Sequence, residues 1–94
     1  MKKPESLSET LTERGNRYGT IESNAHFIQE MMRLTLEFDK NNQLSDVHLE
    51  CLHMIYHKIG RMVNGDCWYS DNAHDIGGYA KLLEDYINDR STSN

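Results

Sequence analysis

The chain is short of proline, of cysteine and of positive charge, and each shortage removes a class of protein. One proline and six glycines in 94 residues leave long stretches without a turn signal. A strand-based domain needs such a signal about every 8–12 residues, so an all-β fold is excluded. Cys51 and Cys67 lie far apart, with no CxxC spacing around either. That pattern offers neither a zinc knuckle nor a disulfide framework, and it predicts reduced thiols in a cytoplasm. Ten Lys and Arg are outnumbered by fifteen Asp and Glu, for a net charge of -5. Duplex nucleic acid and anionic membrane surfaces are poor partners for such a balance. A small phosphorylated ligand gripped by a few local cations is compatible with it, as is a divalent cation. No apolar run approaches the ~20 residues of a membrane span, and Met1–Ser8 lacks an apolar signal core.

What the chain does have is helical periodicity. Phe27, Met31, Leu34 and Phe38 fall on one face of a helix over 21–39, widened by Ile28, Met32 and Leu36, with Gln29, Arg33 and Glu37 opposite. Thr20 is placed to cap it. After a polar connector, 39–45, Ser45 or Asp46 starts a second helix that closes at Asn64-Gly65. Its apolar face carries Leu49, Leu52, Ile55, Tyr56, Ile59, Met62 and Val63. Ser70 caps a third helix over 71–89 with Ile76, Tyr79, Leu83 and Tyr86 in its stripe. Residues 1–10 read as a flexible arm and 90–94 as a disordered tail. Residues 11–19 read as a turn-and-loop element punctuated by Gly15 and Gly19, with room for a short helix around 8–14. The foldable part, 11–89, is therefore a single all-α domain, a three- or four-helix bundle. A chain of this length buries only about 60–65% of its unfolded surface. Three amphipathic helices make a thin bundle, so a homodimer is expected.

Three polar clusters stand out. On the second helix Glu50, His53, His57 and Arg61 share one sector opposite the apolar face, with Lys58 beside it. They are either a solvated stripe or the wall of a polar cleft, with Lys58 and Arg61 as donors to phosphate oxygens. Gly60 in mid-helix predicts close approach of another element or a ligand. On the third helix Asp71 and Asp75 are one turn apart and point the same way. With Glu50 they are the candidate ligands of a Mg2+ ion, which takes one or two protein carboxylates and keeps several waters. The alternative is that acids simply favour a helix N-terminus, and that Asp75 pairs with a lysine or arginine. The third cluster is Glu13-Arg14-Gly15-Asn16-Arg17-Tyr18-Gly19. Arg14 and Arg17 could take phosphate bidentately while Tyr18 stacks on a base, or Arg17 could pair with an inner carboxylate such as Asp75. Trp68 and Tyr69 read as a hydrophobic plug over the bundle end.

The segments ERGNRYGTIESNA, HKIGRMVNGD and DNAHDIGGYAKLL together resemble a family of small, mostly phage- and prophage-encoded proteins of uncharacterised function. The resemblance spans about residues 13–87. The family pattern departs at Asn72-Ala73-His74, where an aromatic commonly follows the first Asp. That family is in turn distantly similar to the MazG-like all-α nucleoside triphosphate pyrophosphohydrolases. The resemblance implies a dimeric MazG-like helical fold and a nucleotide or nucleotide-derived phosphate ligand bound with Mg2+. If the protein is catalytic, it further implies metal-assisted cleavage of a phosphoanhydride. The acidic EExxE-type helix of those enzymes is represented here only by Glu50 followed by His53 and His57, which supports ligand binding better than hydrolysis. The expected function is that of a phage accessory protein in the host cytoplasm. Its ligand would be a nucleotide or other phosphorylated small molecule held by Arg14, Arg17, Tyr18, His57, Lys58 and Arg61. The alternative is a non-enzymatic interaction protein that inhibits a host enzyme or defence system through direct contact with a host protein.

Overall fold

Four helices and no strand account for the computed structural model, which describes residues 7–92: α1 (Leu7–Tyr18), α2 (Ile21–Phe38), α3 (Asp46–Asn64) and α4 (Ser70–Thr92). Of the expected arm and tail, residues 1–6 and 93–94 lie outside the described residues. Residues 7–10 open α1 and residues 90–92 close α4, so the helical part is longer at both ends than the sequence suggested. The element expected as a turn and loop is α1. Leu7, Leu11 and Tyr18 keep helical spacing through Gly15, around which there is open space, and only Gly19 at φ +83° ends the helix.

The caps explain the other boundaries. Thr20 Oγ1 accepts from the Ser23 amide at 3.1 Å and starts α2. Ser45 and His48 form a capping box at α3: Ser45 Oγ accepts from the His48 amide, and His48 Nδ1 accepts from the Ser45 amide, both at 3.2 Å. Between α2 and α3 the Asp39 carboxylate takes the Gln43 and Leu44 amides at 2.8 and 3.2 Å. Gly65 closes α3, its amide donating to Arg61 O at 2.9 Å.

α3 is the axis of the molecule. α4 packs along it most extensively, α2 lies on another side, and α1 crosses its C-terminal end. The α2–α3 crossing is close at Gly60, where a Cβ would stand 3.0 Å from Asn24 Oδ1 and 3.3 Å from Phe27 Cδ1. The α1–α3 crossing is closer still. A Cβ on Gly19 would meet Asn64 Cβ at 2.6 Å, and the Asp66 amide donates to Arg17 O at 2.8 Å.

The arrangement is open. The radius of gyration is 16.7 Å, against about 12–13 Å for a compact chain of this length. Extents are 58 × 31 × 21 Å. Among the described residues only Ile28 and Cys51 are buried hydrophobics. Leu34, Leu36 and Phe38 of α2 and Leu82 and Ile87 of α4 are exposed, Phe38 to 77%. Gly77 and Gly78 of α4 also face open space. Trp68 is not a plug over the bundle end. It is 90% exposed, while Tyr69 turns inward against Tyr18 with ring centroids 6.0 Å apart. No helix among the described residues is long and apolar enough to cross a membrane.

Candidate functional site

A cavity of about 650 Å³ lies where α1 crosses α2 and α3. Leu11, Ala25 and Ile28 supply apolar lining, while Arg14, His57 and Arg61 bring the polar chemistry. Asn24 builds its frame. Its Nδ2 donates to Tyr18 O at 2.6 Å and to Thr20 O at 2.9 Å, and its Oδ1 accepts from Asn64 Nδ2 at 3.4 Å. One side chain thus ties the end of α1 to the start of α2 and the end of α3.

Tyr18 organises the cations. The Arg61 guanidinium carbon sits 4.6 Å from the Tyr18 ring centroid and that of Arg14 sits 5.3 Å from it. An aromatic face attracts a guanidinium by about 0.5–1 kcal/mol at such sites without neutralising it. Among the described residues no carboxylate comes within ion-pair distance of Arg14 or Arg61. Among the described residues, then, two forked cations are held in place with no carboxylate on their N–H donors, in a chain whose net charge is -5. The cost is to the expected base-stacking role of Tyr18, whose ring already carries both guanidinium groups.

The remaining expected residues are distributed otherwise. Arg17 pairs with Glu13 at 3.3 Å and lies over the Tyr69 ring, 4.6 Å from its centroid, rather than lining the cavity. Lys58 is buried and its Nζ meets Asp75 Oδ2 at 3.1 Å, so it faces α4 and not the cavity. The Asp71 carboxylate near the Tyr69 hydroxyl, with some burial, pushes the Tyr69 pKa up. Glu50 is exposed, with its Oε1 3.8 Å from His53 Nδ1. His53 and His57 approach each other, Nε2 to Nε2 at 3.3 Å. Burial holds the His57 pKa below its ordinary value, and His53, Arg61 and Lys58 push it the same way.

The proposed Mg2+ ligands Glu50, Asp71 and Asp75 are thus each engaged with a different neighbour. Among the described residues no group of three or more His, Cys, Asp or Glu side chains could hold a metal ion. A resident Mg2+ does not fit these three carboxylates within one chain, because Lys58 already supplies the positive charge at Asp75.

The sequence reading missed Asn24 and Leu11, and placed Ile28 on the apolar face of α2 without assigning it to a site. The spacing of Leu7, Leu11 and Tyr18 would have revealed α1 had Gly15 not been read as punctuation. Comparison with protein-family models, curated proteins and solved structures finds no match to the chain.

Proposed function

We propose that the protein binds a phosphorylated small molecule of nucleotide type in the cavity between α1, α2 and α3. The observation that carries this reading is the pair Arg14 and Arg61, fixed on Tyr18 with no carboxylate at ion-pair distance among the described residues. Guanidinium forks favour phosphate oxygens, and the apolar lining from Leu11, Ala25 and Ile28 suits a less polar body such as a base and sugar. The resemblance to the phage-encoded family, and through it to the MazG-like hydrolases, supports the same ligand class. The protein's cations take the place at the phosphate that a resident metal would fill, so the proposal is one of binding.

Thermal unfolding with a panel of nucleoside mono-, di- and triphosphates tests it, in buffers with and without Mg2+. A ligand at 100 times its Kd adds about 2.7 kcal/mol of stability. Arg61→Gln and Arg14→Gln should remove the shift. A panel that gives no shift for the wild-type chain overturns the reading.

We further propose that two copies associate through the open faces of α2 and α4. Leu34, Leu36, Phe38 and Leu82 support this, since a chain with so little buried apolar surface gains most by covering them. Sedimentation of wild type beside Phe38→Asp reads it directly: a dimer that becomes a monomer is expected, and a wild-type monomer overturns it. Docking on a host protein draws on the same exposed faces and on Trp68. A monomeric wild type that responds to no nucleotide would favour that alternative.

A further inference from the structure

His53 and His57 are four residues apart on α3, and their rings meet edge to face with centroids 4.7 Å apart. Their Nε2 atoms are separated by 3.3 Å. Two Zn–N bonds of about 2.0–2.1 Å at a tetrahedral angle subtend an N···N separation of about 3.3–3.4 Å. The pair already has the bite of a two-point chelate. We propose that His53 and His57 bind a labile divalent transition metal of the Zn2+ class through their Nε2 atoms.

Three features of the site support the assignment. Glu50 lies on the far side of His53, its Oε1 3.8 Å from Nδ1. A carboxylate there favours the tautomer with the proton on Nδ1 and a free lone pair on Nε2. Burial and the cationic neighbours of His57 lower its pKa, which favours the neutral form that a metal requires. His57 also lines the cavity, so the chelate stands at the edge of the proposed phosphate site, although it does not depend on that reading. In the metal-free chain the two Nε2 atoms share one proton in an imidazole–imidazole hydrogen bond. Metal entry moves that proton, by exchange through water, to Nδ1 of the same ring, so both imidazoles stay neutral and both Nε2 lone pairs go to the metal.

Imidazole nitrogen selects Zn2+, Co2+, Ni2+ or Cu2+ over the oxygen-seeking Mg2+. Only two protein ligands are in place, consistent with no group of three among the described residues, so water fills the other positions. Lys58 and Arg61 oppose a dication nearby. Lys58 is largely offset by Asp75 at 3.1 Å, whereas Arg61 is not offset, which makes the site exchangeable rather than structural.

Calorimetric titration of the full chain with Zn2+ alone, and visible absorption with Co2+, test the proposal. One ion per chain is expected, undisturbed by excess Mg2+. His53→Ala and His57→Ala should each weaken binding by more than the ~10–100-fold typical of losing an outer-shell partner, and Glu50→Gln by about tenfold. His26→Ala, His74→Ala and Cys67→Ser should leave it unchanged. Proton NMR of the wild-type imidazoles removes any dependence on variant folding: the His53 and His57 signals should shift together with added Zn2+. No binding by the wild-type chain at millimolar Zn2+ overturns the proposal. So does binding that survives loss of both histidines, or imidazole shifts at His26 or His74 with none at His53 and His57.

Discussion

Lys58 and Arg61 stand one turn apart on α3 and end in opposite circumstances. Lys58 is drawn toward α4, buried, and met by Asp75 at 3.1 Å. Arg61 turns toward α1, lies on the Tyr18 ring, and has no carboxylate at ion-pair distance among the described residues. Both are cations on the same helix, yet only one of them is left to act on a ligand. The difference lies in the partner: a carboxylate cancels the charge it positions, whereas an aromatic face positions the charge and leaves it intact. The chain therefore uses α4 to consume positive charge and α1 to display it.

The comparison can be broken most severely at Gly19. Its φ of +83° and its contact with Asn64 leave no room for a side chain, so Gly19→Ala should cost about 2–3 kcal/mol. Because that crossing holds Arg14 and Tyr18 against α3, nucleotide binding should be lost while the Lys58–Asp75 pair survives. Urea melts and calorimetry on the same variant separate the two effects. Asp75→Asn attacks the other side. It strands a buried ammonium and should cost about 1–3 kcal/mol, less than the ~3–5 of a fully enclosed pair because Asp75 is partly solvated. Adding Lys58→Met should restore most of that loss, and nucleotide affinity should be unaffected throughout.

Arg61→Gln should behave inversely. Stability should change by no more than about 0.5–1 kcal/mol, the worth of the ring contact. Phosphate affinity should fall by about tenfold or more, as for loss of a charge-assisted hydrogen bond. The smallest effect is that of salt. Raising ionic strength should weaken nucleotide binding at the open cations, while the Asp75→Asn penalty, measured at each salt concentration, should barely move.

The helices α2 and α3 were legible because their apolar residues repeat with helical period and because Thr20, Ser45 and Gly65 mark their ends. What covers each stripe was not. Leu34 and Phe38 belong to the stripe read for α2, yet they are exposed, since periodicity shows that a face seeks cover without naming the cover. Arg14, Tyr18, His57 and Arg61 were all named from the sequence as candidate ligand-binding residues, and the structure brings all four to one cavity. Lys58 was grouped with them and does not join them. Neighbours in a helix diverge by about 100°, enough to send His57 to the cavity and Lys58 to α4. Tyr18 was read as a stacking surface because nothing in a linear sequence says that two arginines, four residues before it and 43 after it, will occupy its ring.

The position of Trp68 has an optical consequence. It is the chain's one tryptophan, and at 90% exposure its indole already sits in water while the protein is folded. Its emission should therefore resemble that of a free indole and change little in colour when the helices melt. Anything that settles over the loop between α3 and α4 would exchange that water for a drier contact and shift the emission to the blue. The protein thus carries a built-in fluorophore that is nearly blind to its own unfolding and sensitive to being covered.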